Sequence, residues 1–224
     1  LQLTLDYNTA AVVFGLGSAN RLERMKPIVD TLGRRDIFEL GKRRAAQRHW
    51  SLANRSSIGA IAPYGTQSTE YGCESGGYDH EHGCPESFGD FEGIEFPCAM
   101  GPFWRNANNF DCAVRFNAGL STTMLIDWFE FTQDRAFFNE TLMPFLTGVA
   151  DFYHSYALRS SNSSSRPLEL QRTCAQEMCQ QRQAGTGGGG QTPTEDNSLS
   201  DLAYARMVIQ KLRQYQNISG QPLK

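Results

Sequence analysis

The chain has 224 residues, 40% of them apolar and 11% aromatic, with 21 basic and 24 acidic side chains for a net charge of −3. That composition can bury a sizeable core and excludes a disordered polypeptide, while the near-balance of charge leaves no overall cationic field to hold nucleic acid or an anionic membrane. No apolar run approaches the roughly 18 residues of a membrane span, and no charged-then-apolar leader with a small-residue cleavage site opens the sequence, so Leu1 reads as a cut end.

From Leu1 to about Leu16 the run LQLTLDYNTAAVVFGL mixes β-branched residues with Ala; periodicity alone does not separate strand from helix, and its length favours a buried helix. Ser18 or Asn20 is placed to cap the next helix, which carries Leu22, Met25, Ile28, Val29 and Leu32 and stops at Gly33, with Pro27 kinking it or resetting its start. Residues 36–54 predict a third helix with Ile37, Phe38, Leu40, Ala45 and Trp50 as apolar contacts. Arg34, Arg35, Lys42, Arg43, Arg44 and Arg48 are interspersed at helical spacing and read as a solvated face.

Regularity disappears from Ser56 to Cys112, in a segment dense in Gly, Tyr, Phe, Cys, Pro and Asp. It is far longer than an ordinary connection, and its aromatics and cysteines point to an ordered, stapled loop. From Phe116 to Tyr156 two amphipathic helices turn back on each other. In the second, Phe138, Leu142, Phe145, Val149, Phe152 and Tyr156 step by four and three beside a parallel row of Leu146, Ala150, Tyr153 and Ala157, and so broad a face implies more than one neighbouring helix. Glu140, Thr147, Asp151 and His154 fall on the opposite side. Ser160–Ser165 and Gly185–Gly190 mark two linker-like connections, the GTGGGG run lacking the Lys-Ser/Thr and the preceding strand of a phosphate cradle. Ser198 or Ser200 caps a last helix with Leu199, Ala203, Met207, Ile209 and Leu212 inside. The reading is all-α, with six or seven helices in one domain, 1–224, and the 56–112 region as a long insertion.

Six cysteines, at 73, 84, 98, 112, 174 and 179, suit disulfides or metal ligation. Four Asn-X-Ser/Thr sequons, at Asn54, Asn139, Asn162 and Asn217, exceed chance and favour the secretory route, which also permits disulfides. The expectation is a secreted or lumenal glycoprotein.

Glu177 stands in the turn between Cys174 and Cys179 beside apolar Met178, where burial would lift its pKa toward the range a general acid needs; the plain alternative is an exposed turn glutamate. Asp6 and Asn8, two apart, diverge by about 200° on a helix and share a side in an extended segment. They either reach a pocket together or Asp6 simply caps the first helix. The run YDHEHGCPE gathers Asp79, His80, Glu81, His82, Cys84 and Glu86: His80 and His82 with a third ligand would suit zinc or copper, or would hydrogen-bond sugar hydroxyls at a substrate rim. Around GPFWRNANNFD, Phe103 and Trp104 offer flat apolar faces while Arg105, Asn106, Asn108 and Asn109 offer donors and acceptors, a mixture that pyranose rings require. The alternative there is an aromatic filling the core beneath helix-capping Asn side chains. Trp128 reads as core.

Three stretches resemble the catalytic domain of the (α/α)6-toroid glycosidases, the six-hairpin superfamily, nearest to glycoside hydrolase family 95. LDYNTAAVVFGLGSAN looks like the family's first barrel helix, FTQDRAFFNETLMPFLTGVADFYHSY is similar to an Asp-Arg-initiated, Pro-containing helix of the mid barrel, and TCAQEM followed by TPTEDNSLSDLAYARMVIQKL resembles the acid-bearing turn and the helix after it. The match covers about half of the chain. The resemblance implies a partial toroid, an inverting hydrolase of α-linked deoxy- or neutral sugars (α-L-fucosidase-like), and no cofactor. Carried over by position, Glu177 would be the general acid, Asp6 and Asn8 would orient the attacking water, and His80, His82, Trp104, Arg105 and Asn106 would hold the sugar. Asp6 stands where the family has Asn as a rule, and Cys174 and Cys179 replace its small-residue and Pro context. A closed toroid has twelve helices and follows a β-sandwich in this family, so the resemblance also implies partner segments: the rest of the toroid and that sandwich. A polysaccharide lyase and a non-catalytic carbohydrate-binding toroid fragment are the alternatives.

Overall fold

The computed structural model describes residues 3–4, 11–53, 93–96, 99–100, 116–160, 170 and 197–219. The described residues are all-α apart from one minimal antiparallel pair, β1 (Leu3–Thr4) with β2 (Ala99–Met100), in which Leu3 faces Met100 and Thr4 faces Ala99. This pair corrects the expectation of a helix from Leu1. The amino end is extended because it finds a partner far along the chain, information that an apolar run does not carry. Residues 11–13 are helical, and turns take over from Phe14 to Asn20, burying Val13 while Val12 and Phe14 stay exposed.

Helix α1 (Leu22–Leu32) buries Met25, Val29 and Leu32. Neither Ser18 nor Asn20 caps it. Ser18 Oγ donates instead to the Gly15 carbonyl (3.0 Å), Asn20 takes a left-handed conformation (φ 54°), and Arg21 enters the helix without a side-chain cap. Pro27 lies on the exposed side and α1 runs through it. Gly33 ends the helix as expected, its N–H donating to the Val29 carbonyl at 2.9 Å.

Helix α2 (Arg35–Ala53) follows after two residues. A two-pronged bond from Arg34 to Asp36 (2.9 and 2.6 Å) marks its start and holds the Asp36 carboxyl below the usual range, first by hydrogen bonding. Ile37 and Ala45 are buried, Phe38 and Leu40 pack at the edge of the core, and the side chain of Trp50 lies outside the described residues. The solvated-face reading fails at Arg44, which is buried.

The expected hairpin is present. Helix α3 (Asn117–Thr132) is buried almost all round in its first half and ends at Gln133 in the left-handed region (φ 55°). Asp134 then caps α4 (Arg135–Phe137), its Oδ1 accepting from the amides of Ala136 (2.9 Å) and Phe137 (3.1 Å). A π-helical segment (Phe138–Leu142) leads into α5 (Met143–Ser160). Pro144 has no N–H to give the previous turn and its ring crowds the carbonyl four residues back, so widening the turn just before it is the expected accommodation. Phe145, Leu146, Val149, Phe152, Tyr153 and Tyr156 are buried, while Glu140 and His154 face out. The broad face of α5 meets α2, α3 and α6 (Leu199–Ser219), and α1 packs on α3 and α2.

Helix α6 departs from the expected inner face at its start, while Met207 and Leu212 pack against the core as expected. Leu199 is 81% exposed and Ala203 also faces out; the inward residues are Asp201, Val208 and Tyr215, with Tyr204, Ala205, Met207 and Leu212 partly buried. A buried carboxylate sets the phase of this helix, so ranking positions by hydrophobicity misplaces its inner face. No helix among the described residues is long and apolar enough to cross a membrane.

Candidate functional site

Residues 93–96, Gly-Ile-Glu-Phe, run between α2 and α5. The Ile94 N–H donates to the Gly148 carbonyl of α5 (2.9 Å) and the Glu95 N–H to the Gly41 carbonyl of α2 (3.1 Å). Each carbonyl has a second lone pair, so a helical oxygen can accept this additional bond. Glycine makes the approach possible: a β-carbon on Gly41 would stand 2.6 Å from Ile94 Cγ2 and 2.8 Å from Phe96 Cε1. Ile94 and Phe96 are fully buried, Phe96 against Phe145 at 5.6 Å between ring centroids. Glu95, between them, is carried into the interior and is 1% exposed.

There it shares an environment with Asp201 of α6 and Tyr153 of α5, both buried. Burial first, then the charges of Asp201 and Glu95, hold the Tyr153 phenol well above the ordinary tyrosine range. The Tyr153 hydroxyl therefore keeps its proton. Asp201 reaches this position through a local signal, Ser198-Leu-Ser-Asp201 at a helix start. Ser198 Oγ donates to Asp201 Oδ2 (2.6 Å), the Asp201 N–H donates to Ser198 Oγ (3.3 Å), and the Leu202 N–H donates to the Ser198 carbonyl (3.0 Å). Ser198 thus caps the helix by accepting the Asp201 amide, its hydroxyl in turn donating to the Asp201 carboxylate, and a carboxylate in the first turn also suits the helix dipole.

On the α3 side a β-carbon at Gly119 would lie 2.9 Å from both Tyr153 Oη and Tyr204 Cβ, so only glycine admits the two tyrosines so closely. Tyr204 stacks on Phe116 (5.5 Å, 20° between planes). Asn197, with φ 60°, donates its N–H to the Leu170 carbonyl and accepts the Leu170 N–H on Oδ1, both at 2.8 Å. Residues 93–96 are thus held by α2 and α5, Phe116 by Tyr204, and Leu170 by Asn197 just before α6. The carboxyl-bearing residues Glu95 and Asp201 are buried away from solvent.

At the far end of α3 and α6, Glu130 Oε1 accepts from Lys211 Nζ (2.5 Å) and from the Tyr215 hydroxyl (3.0 Å). Partial burial would raise its pKa, but the two hydrogen bonds and the Lys211 charge outweigh that and hold it below the usual range. Asp127, one turn earlier, is pushed up by burial and by the Glu130 charge, so the two carboxyls titrate apart. Glu130 in the folded state binds its proton less readily than in the unfolded chain. Its stabilisation is therefore complete above the unfolded pKa and disappears as pH falls through the folded one. Glu130→Gln is expected to lower stability at pH 7 by about 0.5–1 kcal/mol, since the pair is partly exposed, and the gap to the wild type should close below about pH 4. Urea midpoints compared across pH check this; a gap that widens in acid contradicts it.

The residues singled out in the sequence, Glu177, Asp6, Asn8, His80, His82, Trp104, Arg105 and Asn106, lie outside the described residues, as do all six cysteines. What the structure locates are the ends of their segments. Residues 93–96 follow the segment with His80 and His82, Phe116 follows the one with Trp104, Arg105 and Asn106, and Leu170 and Asn197 bracket the one with Glu177. Sequence reasoning missed Glu95, Tyr153 and Asp201. The Ser-X-X-Asp spacing at 198–201 signalled the last of them; Tyr153 sat unremarked in an apolar row, and Glu95 carries no local signal. No protein-family model, curated protein or solved structure matches the chain.

Proposed function

We propose that the chain is part of the catalytic domain of an (α/α)6-toroid glycoside hydrolase, secreted or lumenal, cleaving α-linked deoxy- or neutral sugars of glycans or polysaccharides with inversion. The reading starts from the family-like stretches and gains support from one observation above others. Pieces of chain that border the segments with Glu177, with Trp104 to Asn106 and with His80 and His82 are each held to the helical core: Leu170 by Asn197, Phe116 by Tyr204, and residues 93–96 by Gly41 and Gly148. The Asp134 cap and the Pro144-linked widening in the central hairpin also agree with the Asp-Arg-initiated, Pro-containing barrel helix.

In this mechanism Glu177 protonates the leaving oxygen as the C1–O bond breaks, while a water oriented by Asp6 and Asn8 attacks C1 from the opposite face. His80, His82, Trp104, Arg105 and Asn106 hold the sugar, and no cofactor takes part. The base that receives the water's proton would come from the remainder of the toroid.

The test is hydrolysis of α-L-fucosides and other neutral α-glycosides, with the product anomer read by NMR. Glu177→Gln should lower kcat by about 10²–10⁴-fold and leave KM within a few-fold. Undiminished turnover in that variant removes Glu177 from the mechanism. An unsaturated, ultraviolet-absorbing product would identify a lyase instead, and saturable sugar binding without turnover a carbohydrate-binding fragment.

A further inference from the structure

Two of the four sequons fall on described, exposed asparagines, and the fold brings them to one place. Asn139 sits in the π-helical segment and is followed by Glu140 and Thr141; Asn217 sits near the end of α6 and is followed by Ile218 and Ser219. Next to Asn139 is Phe138, and two residues before Asn217 is Tyr215. The rings of these buried residues meet edge to face at 5.5 Å, and Phe129 touches both, at 4.6 and 5.6 Å. The neighbouring positions on the same strips, Arg135, Ala136 and Glu140 on one side and Arg213 and Gln214 on the other, are exposed as well.

The direction of the helices then fixes what lies at the other end. Phe138 neighbours Tyr215 while Tyr153 and Tyr204 both close on Gly119, so the π segment with α5 runs antiparallel to α6. Fifteen residues of helix separate Phe138 from Tyr153, roughly 22 Å at the helical rise. The exposed sequons and the buried Tyr153 therefore occupy opposite ends of the bundle.

We propose that Asn139 and Asn217 are N-glycan acceptors that together form a glycan-bearing end of the helical bundle, opposite the end that holds the buried Tyr153. The donor class is an oligosaccharide carried on a lipid pyrophosphate. Asn Nδ2 forms a bond to the anomeric carbon, the bond from that carbon to the pyrophosphate oxygen breaks, Nδ2 loses one proton, and the lipid pyrophosphate departs. No oxidation or reduction is involved. The assignment needs passage through the secretory route and does not depend on the hydrolase reading.

The folded geometry also dates the event. A transferase must engage the Asn139 amide and the Thr141 hydroxyl together, and residues two apart share a side only in an extended chain. In the folded chain Thr141 is turned into the α1–α2 corner, its Cγ2 3.0 Å from where a β-carbon on Gly33 would stand. Transfer to Asn139 must therefore precede the closing of that corner.

The experiment is expression of the full chain in a eukaryotic secretory host, followed by peptide mass spectrometry before and after N-glycosidase treatment. Glycan is expected on both asparagines, each reading as aspartate after treatment. Asn217→Gln should remove one glycan mass and Thr141→Val, which keeps the shape and loses the hydroxyl, the other. Folded, unglycosylated chain offered to microsomes afterwards should gain nothing at Asn139. An unmodified Asn139 or Asn217 in secreted protein overturns the paired assignment, and efficient addition to the folded chain overturns the timing.

Discussion

Gly41→Val is expected to destabilise the protein by about 3 kcal/mol or more, a large part of the 5–15 kcal/mol that holds a typical domain together. In an exposed helix, exchanging glycine for a residue with a β-carbon usually helps or costs little. Here the first added carbon already falls 2.6 Å from Ile94 and 2.8 Å from Phe96, both buried against α5 and unable to withdraw into solvent. The Glu95–Gly41 hydrogen bond would lengthen with them, and Glu95 would lose its placement beside Tyr153. Urea unfolding followed by circular dichroism reads the effect. A midpoint equal to that of the wild type would mean that residues 93–96 do not rest on α2.

Asp201→Ala is expected to cost about 3 kcal/mol, because it leaves the buried Ser198 hydroxyl without its acceptor at 2.6 Å and removes the acidic member of the α6 cap. Asp201→Asn, which keeps an oxygen at that place, should cost about 1 kcal/mol, the part due to charge in the first turn. The contrast between the two variants separates the hydrogen bond from the charge, and equal midpoints for both would place the effect outside the Ser198 contact.

Much of the helical framework could be read directly. Helices α1 and α2, the α3–α5 hairpin and the wide face of α5 follow from apolar residues recurring at three and four, the pattern least open to other readings. Gly33 and Asp134 mark boundaries because their chemistry acts within one turn. The misreadings have more than one cause: Ser18 bonds the nearby Gly15 carbonyl instead of capping α1, and others depend on distant residues. Leu3 and Thr4 are extended because Met100 and Ala99 pair with them. Leu199 faces out while Asp201 faces in, and Arg44 is buried on a helix where Arg35 and Arg43 are exposed as expected. For the site, the sequence supplied residue types, and the positions of Glu177, Asp6, Asn8, His80, His82, Trp104, Arg105 and Asn106 lie outside the described residues.

The wedge formed by Ile94, Glu95 and Phe96 also bears on how the molecule assembles. It bonds to Gly41 and to Gly148, each about fifty positions away along the chain, whereas α1 meets α2 and α3 leads into α5 across short connections. Closing so long a loop costs entropy before any contact rewards it, so local hairpins should come first and the wedge last. It would then act as a keystone: contacts made after the rate-limiting barrier slow unfolding without hastening folding, and the lifetime of the native state would reside in this four-residue insertion.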